Sequence, residues 1–178
     1  MLPWKHCESC SLDKRHGLGY DGDIDNCQVL LVGMSYGRDE AAIGKPFQGR
    51  SGKLIRSLVK ETGFDSGVVF GNVISCQPPN PRTIPTKQEI ECCYDNLECL
   101  IEHCKPKIIV ALGDVAAERL TKEKMSVKDL RGWVVNTEKY GKIVVTYHPA
   151  YILRNPNMKC YLSEHVRLAK SVVDNKYG

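Results

Sequence analysis

Three segments concentrate the residue types that could do chemistry. Gly33 to Gly52, Cys76 to Arg82 and Tyr147 to Pro156 are rich in Gly, Pro, Asn and His, and each follows an apolar run. If those runs are parallel strands, the three segments converge on one edge of the sheet, and Phe47, Asn80 and His148 face one cleft. Taken singly, an Asn in a Pro-rich loop is a turn former and a His after a strand is a packing residue, so the convergence is what points to a site. The stretch Gly44-Lys45-Pro46-Phe47-Gln48-Gly49-Arg50-Ser51 approaches a phosphate-binding loop. That motif needs Lys where Arg50 stands, and its glycines begin at the strand end rather than about ten residues beyond it, so nucleoside triphosphate hydrolysis is set aside.

The nine cysteines, at 7, 10, 27, 76, 92, 93, 99, 104 and 160, must be sorted by position. Cys7-x2-Cys10 is a compact metal pair, and Cys76 and Cys92 flank the Pro-rich loop. Four thiolates suit either a structural zinc or a [4Fe-4S] cluster. Cys93 and Cys104 lie on the apolar face of a helix and read as core, whereas Cys92 is one step off that face.

These residues need a scaffold. Gln28 to Met34, Val68 to Ile74 and Lys107 to Gly113 read as strands buried on both faces, and Val134 to Thr137 with Lys142 to Tyr147 as a hairpin or edge pair. Helices are expected over Ser51 to Thr62, from a Thr86/Glu89 capping box continuously to Cys104, from Asp114 as cap to Leu120, and from about Cys160 to Val173. The alternation predicts an α/β fold, a three-layer αβα arrangement whose mostly parallel central sheet has about four strands, in one domain spanning 1–178.

Composition narrows the class. The 42% hydrophobic content is enough for a core, and 25 Lys+Arg against 21 Asp+Glu give a net charge of only +4, too mild for a chromatin or ribosomal protein. No run approaches the roughly 20 apolar residues of a membrane span. The first residues lack the pattern of a signal peptide, so the expectation is a cytoplasmic, intracellular protein, and a core large enough to stand without oligomerisation adds the expectation of a monomer.

Together the segments resemble the family 4 uracil-DNA glycosylases, the iron-sulfur branch of their superfamily. The resemblance rests on Gly44-Lys45-Pro46-Phe47-Gln48-Gly49-Arg50-Ser51-Gly52, on Asn72-Val73-Ile74-Ser75-Cys76-Gln77-Pro78-Pro79-Asn80 and on Tyr147-His148-Pro149-Ala150-Tyr151-Ile152-Leu153-Arg154-Asn155-Pro156. It implies a monofunctional glycosylase of base excision repair acting on uracil-containing DNA, double- or single-stranded. By this resemblance Phe47 stacks on the flipped uracil, Asn80 bonds its edge, and His148 donates to O2 as the glycosidic bond breaks. Tyr151, Leu153 and Arg154 would meet the DNA, and Cys7, Cys10, Cys76 and Cys92 would hold a [4Fe-4S] cluster.

One loop departs from the pattern. Where the family carries a Gly-Glu-Ala-Pro-Gly type sequence, this chain has Gly33-Met34-Ser35-Tyr36-Gly37, so Met34, Ser35 and Tyr36 are expected in the substrate pocket without the carboxylate. Glu40 matches a second acidic position and is the catalytic candidate in its place. Two alternatives follow from the departure: a glycosylase for a pyrimidine altered at C5, or an iron-sulfur DNA-binding protein that recognises bases with weak or lost catalysis.

Overall fold

Strands made almost wholly of Val, Ile, Leu and Ala fix the centre of the molecule. The computed structural model describes residues 10, 12, 19–80, 83–122 and 126–177. In chain order the strands are β1 (Tyr20–Asp21), β2 (Val29–Gly33), β3 (Val68–Asn72), β4 (Ile108–Leu112), β5 (Val134–Thr137) and β6 (Gly141–Thr146). The helices are α1 (Arg38–Ile43), α2 (Arg50–Glu61), α3 (Lys87–Cys92), α4 (Tyr94–Cys104), α5 (Asp114–Thr121), α6 (Val127–Leu130), α7 (Pro149–Arg154) and α8 (Lys159–Val173).

The strands form one six-stranded sheet in the order β1-β3-β2-β4-β6-β5. The four inner strands are parallel, as the sequence implies, and the two extra members are antiparallel edges, β1 on β3 and β5 on β6. β1 has only two residues and no periodicity to announce it. Every residue of β2 and β4 is buried, because helices cover both faces. Leu100 of α4 reaches Gly71 on one face, and α2 and α8 pack together over the other, which by strand alternation carries Gly33, Phe70, Asn72 and Thr146.

Two expected helix features differ. The Thr86 capping box is present, with Glu89 N–H donating to Thr86 Oγ1 at 3.2 Å and Thr86 N–H to the Glu89 carboxylate at 2.7 Å. The helix it starts is not continuous, however. It breaks at Cys93, whose backbone turns (φ −90°, ψ 0°) as its side chain is drawn into the core. Asp114 does not cap α5 either: Gly113 holds the cap position, and Asp114 Oδ1 accepts from the Val127 N–H at 2.8 Å, tying α5 to α6.

Because β3, β2, β4 and β6 are parallel, their carboxyl ends share one edge. The order reverses at β2, which has β3 on one side and β4 on the other, so a crevice opens beyond Gly33. The loop leaving Gly33 returns through α1 to α2, and Gly52 in α2 allows this return to pack closely: a Cβ there would stand 2.0 Å from the Phe47 carbonyl oxygen. Gly52→Ala should therefore cost about 2–3 kcal/mol as the Phe47 backbone is forced away. Urea unfolding measures this, and a loss below about 0.5 kcal/mol would mean that the Phe47 loop yields freely.

Candidate active site

Glu40 shapes the first wall of the crevice. This buried carboxylate takes the Gln48 and Gly49 N–H groups on Oε1, each at 2.8 Å, and the Gly37 N–H on Oε2 at 3.1 Å. The two ends of the loop are thereby drawn onto one side chain. Between them Phe47 adopts φ 57°, a left-handed conformation that costs a non-glycine residue about 1–3 kcal/mol unless its surroundings enforce it. Arg56 helps to enforce it, with Nε donating to the Phe47 carbonyl at 3.0 Å and Nη2 to the Pro46 carbonyl at 3.1 Å. The guanidinium in turn pairs with Asp21 at 2.6 Å and lies over the Phe70 ring.

The strained backbone aims the Phe47 ring beneath the end of β2. A Cβ at Gly33 would stand 2.7 Å from the ring and 2.6 Å from Asn72 Oδ1, so glycine there lets the ring and the amide come together. Asn72 closes β3 and is only 5% exposed, yet its side chain makes no hydrogen bond among the described residues. Among the described residues the sealed, unpaired side-chain polar atoms are those of Arg119, so the Asn72 amide, though nearly covered, still reaches solvent and can take a partner from outside the chain.

His148 completes the group. It follows β6 as the cap of α7, and its ring lies 6.4 Å from that of Phe47 at an interplanar angle of 28°. Nδ1 accepts the Ala150 N–H at 3.1 Å, which leaves the proton of the neutral ring on Nε2. Burial, with the Arg154 charge adding to it and Glu40 opposing, pushes the imidazole down to about 4, so at neutral pH it is an uncharged N–H donor.

The other residues singled out on the sequence take varied places. Asn80 is exposed on the Pro-rich loop, and its carbonyl accepts the Thr83 N–H, so the asparagine that the fold sets beside Phe47 is Asn72. The sequence did carry a signal for it, a lone amide ending a buried apolar strand. Tyr36 is 1% exposed and is a strut, its hydroxyl accepting the Gly19 N–H at 2.9 Å, while burial raises that hydroxyl to about 12. This corrects the expectation that it walls the pocket. Met34 and Ser35 are half-buried at the mouth. Glu40, with both oxygens bound by backbone donors, positions the loop. In α7, Ile152 is buried, Tyr151 stacks on Tyr147 at 5.0 Å, and Leu153 and Arg154 are exposed.

Among the described residues no three His, Cys, Asp or Glu side chains gather as ligands of one metal ion. Cys76 is buried and Cys10 and Cys92 half-buried, while Cys7 lies outside the described residues. Cys93 and Cys104 are buried core residues, as expected.

Comparison with known proteins agrees with this geometry. The family model described as "Uracil DNA glycosylase superfamily" matches residues 20–169. A type-4 uracil-DNA glycosylase of Thermotoga maritima is 34% identical over 95% of this chain and 90% of its own length. Those of Saccharolobus solfataricus, 35% identical over 97% of this chain and 84% of its own, and of Archaeoglobus fulgidus, 34% over 86% and 81%, are similar to the same degree. With a strained aromatic, an unused amide and a neutral imidazole at one sheet edge, and with this likeness along nearly its whole length, the chain belongs to the uracil-DNA glycosylase superfamily, in its type-4 branch.

Proposed function

We propose that this protein hydrolyses the N-glycosidic bond of uracil flipped out of DNA and leaves an abasic site, the opening step of base excision repair. The observation that carries the reading is the unused Asn72 amide beside Phe47, across from a neutral His148. A pyrimidine ring lies on Phe47. Asn72 then donates to O4 and accepts from N3–H, a pairing that cytosine cannot return, because its amino group replaces O4 and its N3 has no hydrogen.

As the C1′–N1 bond breaks, its electron pair moves into the uracil ring and charge grows on O2, while the sugar becomes oxocarbenium-like. A neutral donor at Nε2 of His148 meets that charge without prior protonation. Water then bonds to C1′ and gives its proton to solvent, and the uracil anion is protonated in its turn. Met34 supplies no carboxylate to orient this water, so the path relies on bond breaking before capture. The buried position of Tyr36 removes the ground for a preference for pyrimidines altered at C5, and uracil is the substrate of choice. Leu153 enters the space that the base leaves, Arg154 meets a phosphate, and Tyr151 anchors their helix through its stack on Tyr147. No pocket amine stands in for water: Lys45 is paired with Asp21 at 3.1 Å, so the strand stays intact until alkali or heat.

The proposed cluster ligands are Cys7, Cys10, Cys76 and Cys92, and a [4Fe-4S] group there would tie the N-terminal arm to the Pro-rich loop. The excision itself moves no electrons. Anaerobically purified protein should contain about four irons and four sulfides per chain, and Cys92→Ser should lose them. Colourless protein with stoichiometric zinc would overturn the assignment.

His148→Ala should lower single-turnover excision about 100- to 1000-fold with little change in DNA affinity. The parent rate should stay level through pH 6.5, where an ordinary imidazole titrates, and change only as pH falls toward 4. An inflection near 6.5 would mean that the ring is not held neutral.

Asn72 and Asn80 separate two versions of base reading. Asn72→Ala should lose about 100-fold in uracil excision, and Asn80→Ala should stay within about threefold, as befits a surface loop. The reverse result would return base recognition to Asn80.

A further inference from the structure

A second aromatic surface runs away from the pocket. Tyr151 stacks on Tyr147 at 5.0 Å and 17°. The Arg131 guanidinium lies 5.4 Å from the Tyr147 ring and 5.8 Å from that of Tyr161, which is 6.4 Å from His165. The far end of this ladder opens into a cavity of about 530 Å³, where Trp133 is 68% exposed and Tyr161 39% exposed. Neither Phe47 nor His148 lines it.

The chain is built to present these side chains outward. Gly132 takes φ 80°, and a Cβ there would stand 3.0 Å from His165 Nε2, so glycine lets the backbone pass over that ring with Arg131 and Trp133 on either side. His165 is fixed by Thr146 Oγ1 at 2.7 Å and held below its ordinary range by burial, so it adds no charge. Arg131 donates to the Lys128 carbonyl, which orients its plane.

We propose that Trp133, Tyr161 and Arg131 form a stacking subsite for an unpaired nucleobase of the DNA strand in which uracil has been flipped. The proposal rests on the excision reading for its partner. Continuity carries it, since Tyr147 directly precedes His148 and Tyr151 belongs to the helix that faces DNA. Charge selects the ligand. Lys128 and Arg131 are balanced by Asp129 and Glu164 around the same cavity, which suits an uncharged ring better than a phosphate. A paired base has its faces covered within the duplex, so only an unpaired one can lie on an exposed indole.

The test uses the full chain, with its Trp4→Phe form making Trp133 the only tryptophan. Two duplexes carry uracil, one blunt and one with a single-stranded thymidine flank, and a third has the same flank without bases. The thymidine flank should quench Trp133 fluorescence and the abasic flank should not. Trp133→Ala should weaken binding of the thymidine-flanked duplex about 5- to 100-fold, Trp133→Phe about twofold or less, and neither should alter affinity or excision on the blunt one. Equal quenching by the abasic flank would replace stacking with phosphate attraction, and undiminished affinity in Trp133→Ala would end the proposal. A parent that excises no uracil but still shows base-dependent quenching would sink the excision reading and leave the subsite standing.

Discussion

The site depends on a buried carboxylate that gathers three backbone N–H groups. Glu40 holds the backbone of residues 37, 48 and 49 on its two oxygens and so draws together the loop that leaves β2, with Arg56 securing the Pro46 and Phe47 carbonyls. Each charge-assisted bond is worth about 1.5–3 kcal/mol, enough together to offset the desolvation of the carboxylate and the left-handed turn at Phe47. The closed loop sets the Phe47 ring under Gly33, where Asn72 Oδ1 also lies, and from that one placement follow its ring contacts with Phe70 and His148.

The same economy of charge governs His148. A protonated imidazole would have to give up the Ala150 N–H, and with it the cap of α7, whereas the neutral ring keeps the cap and still offers Nε2–H outward. Arg154, close enough to push the ring further toward neutrality, belongs to the helix that His148 caps. The tautomer of His148 and the cap of α7 are therefore one local structure. Burial keeps the ring uncharged, and the Ala150 N–H decides which nitrogen carries the proton.

Much of this was legible in the chain, for identifiable reasons. The inner strands are continuous apolar runs, and continuous runs in an alternating pattern can only be strands covered on both faces. Phe47 and His148 stood out only together, because their segments follow parallel strands and so converge on one sheet edge. The Pro-rich loop drew attention to Asn80, while Asn72, the asparagine that lies against Gly33 with Phe47, hid at the end of a strand whose residues were read as core. Strand ends are where a parallel sheet offers its side chains to a ligand, so the polar residue closing such a run was the stronger candidate. Tyr36 was misplaced for the opposite reason: its position in a motif said nothing of its direction, and only packing turns it toward Gly19 and Gly44. The break at Cys93 is likewise a tertiary effect, invisible to a helical pattern that continues on both sides.

The N-terminal arm reaches the pocket through two short chains of contact. Asp21 of β1 pairs with Arg56, which holds the Phe47 carbonyl, and the Gly19 N–H binds the Tyr36 hydroxyl, whose own backbone N–H is held by the Cys76 carbonyl. β1 is two residues long and antiparallel on an edge, a weak anchor by itself. Whatever fixes the arm beyond it thus also bears on the geometry of Phe47. A cluster drawing Cys7 and Cys10 from that arm and Cys76 from the loop after β3 would close the circuit from both ends. Its contribution would be to the stacking platform rather than to the bond being broken, which gives a metal-sulfur group a place in a reaction that moves no electrons.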